Sequence, residues 1–474
     1  MRPLNIKALV LLALGLVSAI LLYAQAPATT EPVVYKLSVK EAVDIAFKNF
    51  VDVQNSKYDV DLQRLKNREI TGQAYPQLKG SFQVNHYPNI PVTVLPDFIS
   101  PSVYGVLVNN GVKDGNGNPI LMPSNFGNVN AQFGTPWTAS AGVTLEQLLF
   151  QADVFIGLKA RKTAMDYASN NAKVTEDKVR ENVYKAYYMI LIGQKKLSIV
   201  QSAVKRLEKL RHDMQVMYDN GFSEKLDINR TDVNLSNLRT TETQLKNLVQ
   251  VGDASLKYNL GIAQKDSLLL TDTLSESELK TALLDDGSFQ YEDRNEIKVL
   301  NSVKKLQQLD LQRNKLSYVP TIAAFASQSY NAQRQKFDLF NNRKWFPTTV
   351  IGLSVNIPIF DGLQRDSRIK TARINLKKTE TTLEGVKKAI DLEKNVARIQ
   401  LTNALMTIDE QKRNMLLAQS VYTTTKKKYE QGLGSSFEVL QSENDLEQSE
   451  SNYFQALYDA VIAKVSYLRS IGKL

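Results

Sequence analysis

Side chains able to do chemistry are scarce in this chain. Two histidines stand among its 474 residues, His86 and His212, and there is no cysteine. His86 falls in a stretch of alternating polarity and His212 in a long helical pattern, far apart, so each reads as structural rather than catalytic. The missing cysteine excludes disulfides, thiol catalysis, thiolate metal sites and an N-terminal lipid-modified cysteine. No phosphate-cradling glycine loop, serine nucleophile elbow or metal-ligand cluster is spelled anywhere. The expectation is a protein that is no enzyme and carries no metal and no cofactor.

What the sequence repeats instead is a glycine turn with acids beside it. "MYDNGFSEKLDINRTDVNL" begins at Met217 and "KKYEQGLGSSFEVLQSEND" at Lys427. Placing Gly221 on Gly432 puts Tyr218 on Tyr429, Asp227 on Glu438, Leu235 on Leu446 and Gly261 on Gly472, a constant offset of 211. Nearer the N-terminus, "GVTLEQLLF" (Gly142 to Phe150) matches "GLSVNIPIF" (Gly352 to Phe360) at 210, and "YPQLKGSF" at Tyr75 matches "VPTIAAFA" at Val319 at 244. The chain is a tandem duplication whose first copy carries about 34 extra residues.

The turns themselves have a physical reading. A glycine after a helix supplies the left-handed residue that lets the chain reverse. Lys426, Lys427 and Lys428 precede Gly432, where positive charge suits the helix dipole. Ser435 and Glu438 have capping-box spacing, which starts a returning helix. At the first turn Gly221 is followed by Ser223 and Asp227, a less regular cap.

The elements that carry these turns follow from periodicity. Each half reads helix, strand, loop, strand, very long helix, glycine turn, long helix. No proline interrupts 151–220 or 362–431, so each supports a helix of about 70 residues, on the order of 100 Å. Leu197, Val200, Val204, Leu207, Met214 and Met217, and later Tyr453, Leu457, Val461, Val465 and Leu468, keep the spacings of packing seams. Returning helices are predicted over 223–261 and 435–471. Period-two alternation marks strands about 77–87, 137–148, 321–331 and 348–358, each near the ten residues of a tilted membrane strand. The stretch 88–136 between the first two holds six of the 14 prolines before Pro136 and reads as a long outer loop. The first repeat spans 27–262, an inter-repeat linker 263–289 and the second repeat 290–474.

Residues 1–26 show a short basic region (Arg2, Lys7), an apolar run from Ala8 to Leu22 and small residues at Ala24 and Ala26, the pattern of a secretory signal cleaved near 24–26. The formal net charge is +10. Its lysines and arginines alternate with acids along helical stretches, which describes a solvated face, and no nucleic-acid partner is expected.

Three segments, "VNIPIFDGLQRDSRIKTA" (355–372), "KYEQGLGSSFEVLQSENDL" (428–446) and "NYFQALYDAVIAKVSYLRSIGKL" (452–474), resemble the TolC family of outer-membrane efflux proteins, and the likeness extends over both repeats. The resemblance implies a mainly α protein with a membrane β-barrel part. Four strands per chain join a homotrimeric 12-stranded barrel in the outer membrane of a Gram-negative bacterium, and the long antiparallel coiled-coil helices form a tunnel across the periplasm. It implies a passive exit duct for efflux or type I secretion. Its partners are a periplasmic adaptor (membrane fusion) protein, an inner-membrane transporter of the RND, ABC or a similar class, and outer-membrane lipid.

The positions matching the family's tip motif, where the adaptor docks, are Gly221, Phe222, Gly432 and Leu433. An acidic aperture ring is implied at Glu438 and its repeat equivalent Asp227. The second family acid falls on Gln441, and Gly434 stands where some members carry a gating arginine. Open edges agree with oligomerisation independently, because four strands in lipid leave unpaired backbone groups that cost several kcal/mol each. A soluble periplasmic coiled-coil scaffold or adaptor is the rival reading, and a secreted enzyme a more distant one.

Overall fold

A computed structural model describes residues 32–273, 289–338 and 344–474. The signal segment 1–26 and residues 274–288 of the linker lie outside the described residues. The chain divides into two compact units, one made of the chain before Leu62 with Asp166–Asn301 and Thr381–Leu474, the other of Leu62–Met165 and Ser302–Glu380.

The second unit is built on a four-stranded antiparallel sheet of β2 (Gln77–His86), β5 (Trp137–Phe150), β7 (Thr321–Arg334) and β8 (Phe346–Asn356), in the order β2-β5-β7-β8. Each repeat contributes one adjacent pair. Register puts Leu78, Leu145, Ala326 and Ile351 in one row, and Ser81, Gly142, Ser329 and Thr348 in another. Facing partners share a side of the pleat, so one face is largely apolar and the other largely polar. Leu78, Phe82, Val143, Leu145, Ile351 and Leu353 on the apolar face are exposed. On the other face Phe325 lies over Gly352, where an added Cβ would stand 2.7 Å from the ring. His86 stacks on Trp137 with centroids 4.1 Å apart, a structural contact between facing residues.

The stretch 88–136, expected as a loop, contains β3 (Val92–Pro96), α3 (Ile99–Asn109) and β4 (Asn128–Gln132), with β3 and β4 paired antiparallel. Pro96 is the last residue of β3 and Pro101 lies in the first turn of α3, where a missing amide costs no intrahelical bond. Asp97 starts α3 by accepting hydrogen bonds from the Ile99 and Ser100 amides.

The first unit is helical. A short parallel pair, β1 (Val34–Leu37) and β6 (Ser267–Leu270), accompanies α1 (Val39–Asn49) and α2 (Val51–Gln73) of the first repeat and α6 (Asn295–Leu316) of the second. The long helices are α4 (Ala152–Asp219) and α7 (Gln364–Glu430), and they return as α5 (Lys225–Leu260) and α8 (Ser436–Ser470). α2, α4, α6 and α7 contribute residues to both units. Buried Val200, Val204 and Leu207 of α4 pack with Leu235 of α5 and Leu440 of α8. Leu401, Leu405 and Ile408 of α7 pack with Leu457, Ala460 and Val461 of α8.

The duplication is visible in backbone detail. α5 and α8 end on left-handed Gly261 (φ 64°) and Gly472 (φ 72°). In both, the next two amides close back on the helix: Gly261 to Tyr258 and Ile262 to Lys257, Gly472 to Arg469 and Lys473 to Leu468. An added Cβ would stand 2.7 Å from the Asn49 carbonyl oxygen in one repeat and 2.9 Å from that of Asp293 in the other. Asn49 and Asp293 are themselves equivalent at the offset of 244, and each precedes an extended residue, Phe50 or Arg294, before the next helix. Val53 and Ile297, equivalent again, are both fully buried.

Candidate functional site

The two turns that join α4 to α5 and α7 to α8 belong to the helical unit, and each is fixed by a glycine. Gly221 (φ 80°) and Gly432 (φ 73°) take the left-handed conformation. The Gly221 amide donates to Tyr218 O and that of Phe222 to Met217 O at 2.8 Å; Gly432 and Leu433 repeat this on Tyr429 O and Lys428 O, again 2.8 Å for the outer bond. The same paired closure that ends α5 and α8 thus makes both turns, satisfying helix carbonyls that lack partners. It also pushes the following side chain outward. Phe222 is 79% exposed and Leu433 77%.

The returning helices start differently. At Ser435 the capping box forms: the Glu438 amide donates to Ser435 Oγ at 3.2 Å, and the Ser435 amide to Glu438 Oε2 at 3.4 Å. At the first turn the N-cap is Glu224, which makes no side-chain cap bond. Asp227, in the place of Glu438, faces Arg230 at 3.9 Å, a loose pair one turn along. Glu438 and Gln441 are exposed, and the Gln441 amide donates to Asp445 Oδ1 at 2.9 Å. An added Cβ on Gly434 would meet the Lys428 side chain at 3.3 Å.

Side chains tie the two turns together. The Tyr429 hydroxyl donates to Met217 Sδ at 3.3 Å, and the Arg230 guanidinium lies 5.6 Å over the Phe437 ring. Burial, with Asp227 and Asp213 nearby, pushes the Tyr429 phenol up. Beside the turns, α4, α7 and α8 enclose a cleft of about 530 Å³ whose lining includes Lys205, Arg206, Lys426, Tyr422 and Glu443. Glu443 is 1% exposed, and its carboxylate accepts from Arg206 Nε at 2.6 Å. Burial raises the Glu443 carboxyl despite that arginine, and burial beside Glu443 pushes Tyr422 up to about 12. Sequence reasoning passed over this cluster. The offset of 211 puts Glu443 on Asp232 and Tyr422 on Arg211, which marks the change of chemistry between the repeats but not the contact with Arg206.

None of these groups is arranged as nucleophile, base and orienter, and no group of acids and histidines among the described residues has metal-site geometry. Among the described residues no helix is long and apolar enough to cross a membrane. The arrangement offers paired, exposed apolar tips, acids behind them and a two-faced sheet in the other unit.

Known proteins with this organisation agree with it. Residues 304–473 match the family described as outer membrane efflux protein. The chain is 18% identical over 346 residues to the outer membrane protein TolC of Vibrio cholerae, covering 71% of this chain and 77% of that protein. Its fold is similar to that of the Campylobacter jejuni CmeC outer membrane channel (TM-score 0.71, 13% identity, 94% of this chain and 90% of that one). The open state of the Neisseria gonorrhoeae MtrE outer membrane channel is also similar (0.69, 12%, 92% and 88%), as is VceC of Vibrio cholerae (0.68, 11%, 92% and 96%). Residues 304–473 thus carry an outer membrane efflux protein domain, and the chain as a whole is similar in sequence to TolC and shares the fold of these outer membrane channels along nearly its whole length.

Proposed function

We propose that this protein is the passive outer-membrane exit duct of a tripartite export system. The observation that carries the reading is the sheet, which has an exposed apolar face, an opposite polar face and two open edge strands, β2 and β8. Such a sheet suits lipid outside and water inside, and its edges must pair with other copies, since lipid satisfies no backbone group. Three copies close a barrel of twelve strands, and the helices extend into the periplasm.

In this reading the turns form the periplasmic entrance. Phe222 and Leu433, held outward by Gly221 and Gly432, are the contacts for a periplasmic adaptor. Asp227 and Glu438 supply an acidic ring, and Gln441 contributes a neutral polar position on the Glu438 face. An inner-membrane transporter supplies the energy. Single-channel recording of the purified protein in planar bilayers, with its mass measured in detergent, tests the proposal. Discrete channels from a trimer, with conductance that rises when Asp227 and Glu438 are changed to alanine, are expected. A water-soluble protein that forms no channels would overturn it in favour of the scaffold reading.

A further inference from the structure

The polar face of the four-stranded sheet can be read position by position from its register. Along β2, β5, β7 and β8 that face carries hydroxyls, amides, glycines and a few apolar groups, and two charges, Lys79 of β2 and Glu146 of β5. Lys79 faces Thr144 and Glu146 faces Gln77, which makes the two charges diagonal neighbours. The Lys79 ammonium donates to Glu146 Oε2 at 3.2 Å, with the side chains 69% and 47% exposed. Both stand at the end of the sheet where the chain leaves α2 and enters α4. So exposed a pair adds little to stability. Its effect is to cancel two charges on an otherwise neutral surface.

The duplication supplies an internal control. Offsets of 244 and 210 carry Lys79 to Ala323 and Glu146 to Asn356, and carry the facing residues Gln77 and Thr144 to Thr321 and Ser354. The second repeat pairs Ala323 with Ser354 and Thr321 with Asn356, the same diagonal in the same register. One repeat has both charges and the other has neither. Among the described residues, neither repeat leaves a strand charge unopposed on this face.

An unopposed charge there would act on whatever passes. In the duct reading, on which this inference rests, the face lines the barrel, and three copies turn any unpaired group into a ring. The wall of a twelve-stranded barrel stands roughly 12 Å from its axis, close to the screening length of about 10 Å at 0.1 M salt. Such a ring reaches ions at the centre, and rings of one sign are a means by which pores select. We propose that Lys79 and Glu146 determine the charge specificity of the exit: together they keep the barrel wall electrically balanced, so that cargo of either sign passes, and loss of either one makes the barrel select by charge.

Reversal potentials of the purified full-length protein in planar bilayers under a KCl gradient test this. Glu146→Gln, which keeps the side-chain shape, is expected to shift the potential toward chloride preference and Lys79→Gln toward potassium preference. K79Q/E146Q and the exchange K79E/E146K are expected to match the parent. Ala323→Lys leaves the native pair intact and is expected to shift the potential as Glu146→Gln does, with A323K/N356E restoring it; this series carries the test if a substitution in the native pair fails to assemble. A parent-like potential in Glu146→Gln and Ala323→Lys, or a shift that persists in K79Q/E146Q, would overturn the proposal and leave the duct standing. A thiol reads the same balance without channel activity. Thr144→Cys places a lone cysteine beside both charges, and its rates with cationic and anionic methanethiosulfonates are measured in detergent. Glu146→Gln is expected to lower the ratio of cationic to anionic rates roughly fivefold and Lys79→Gln to raise it by as much. Unchanged ratios would overturn the balance itself. Ratios that change in this way in a protein that forms no channels would keep the balanced face and overturn the duct.

Discussion

Four helices of this protein end on a left-handed glycine with the same pair of closing hydrogen bonds, but the four glycines live in two different surroundings. At Gly221 and Gly432 an added Cβ would meet nothing within 4 Å; at Gly261 and Gly472 it would stand within 3.0 Å of backbone from the start of its own repeat. One requirement, a positive φ, is common to all. The second, close approach of two backbones, belongs only to the ends of α5 and α8. The difference teaches that each hairpin has an anchored end and a free one. A motif placed twice by duplication can be structural at one site and leave its twin available for docking and movement.

The strongest test of that contrast is alanine at the anchored ends. Gly472→Ala and Gly261→Ala combine left-handed strain with a backbone collision, and a loss above ~2 kcal/mol is expected, seen as a lower denaturation midpoint or as failure to assemble. Gly221→Ala and Gly432→Ala incur the strain alone, about 1 kcal/mol each. Equal losses at both ends would break the distinction. Next, the second turn has a capping box and the first does not. Ser435→Ala is expected to lose about 1 kcal/mol, and Glu224→Ser to gain several tenths, by the same denaturation measurement. The smallest stability effect is expected at the exposed tips. Phe222→Ala and Leu433→Ala should stay within ~0.5 kcal/mol of the parent, while co-purification with the adaptor from a reconstituted mixture is lost. Retained adaptor binding by the double variant would remove the tips from the docking surface.

Much of this was legible in the sequence because the signals are local and repeated. Period-two alternation at Leu78–Val84 and Ile351–Ile357 is a property of single strands, and Gly221 and Gly432 announce their turns by residue type. The 3.5-residue seams along α4 and α8 needed only the spacing of leucine and valine. The sequence was silent where structure depends on distant partners or weak formers. Ile99–Asn109 is a helix written with β-branched residues and Gly105, which have poor intrinsic preference for it. Val34–Leu37 and Ser267–Leu270 are four residues each and recognisable as strands only through one another. Of the candidate site, the turns and the Ser435–Glu438 cap were readable. The Arg206–Glu443 contact was not, because it joins residues of different repeats and of different chemistry from their equivalents.

The β1–β6 pair has a consequence for how the chain is made. The Val33 amide donates to Asp266 and the Val39 amide to Asp272, each bond joining residues 233 apart. Nearly the whole first repeat is enclosed between these points, and every residue of the clasp emerges from the ribosome before the second repeat begins. Closing so long a segment is entropically slow, and contacts of large sequence separation retard folding. Because the clasp lies within the first repeat and an exported chain crosses the inner membrane unfolded, closure can proceed in two steps, with the first repeat sealed in the periplasm while its twin is still emerging.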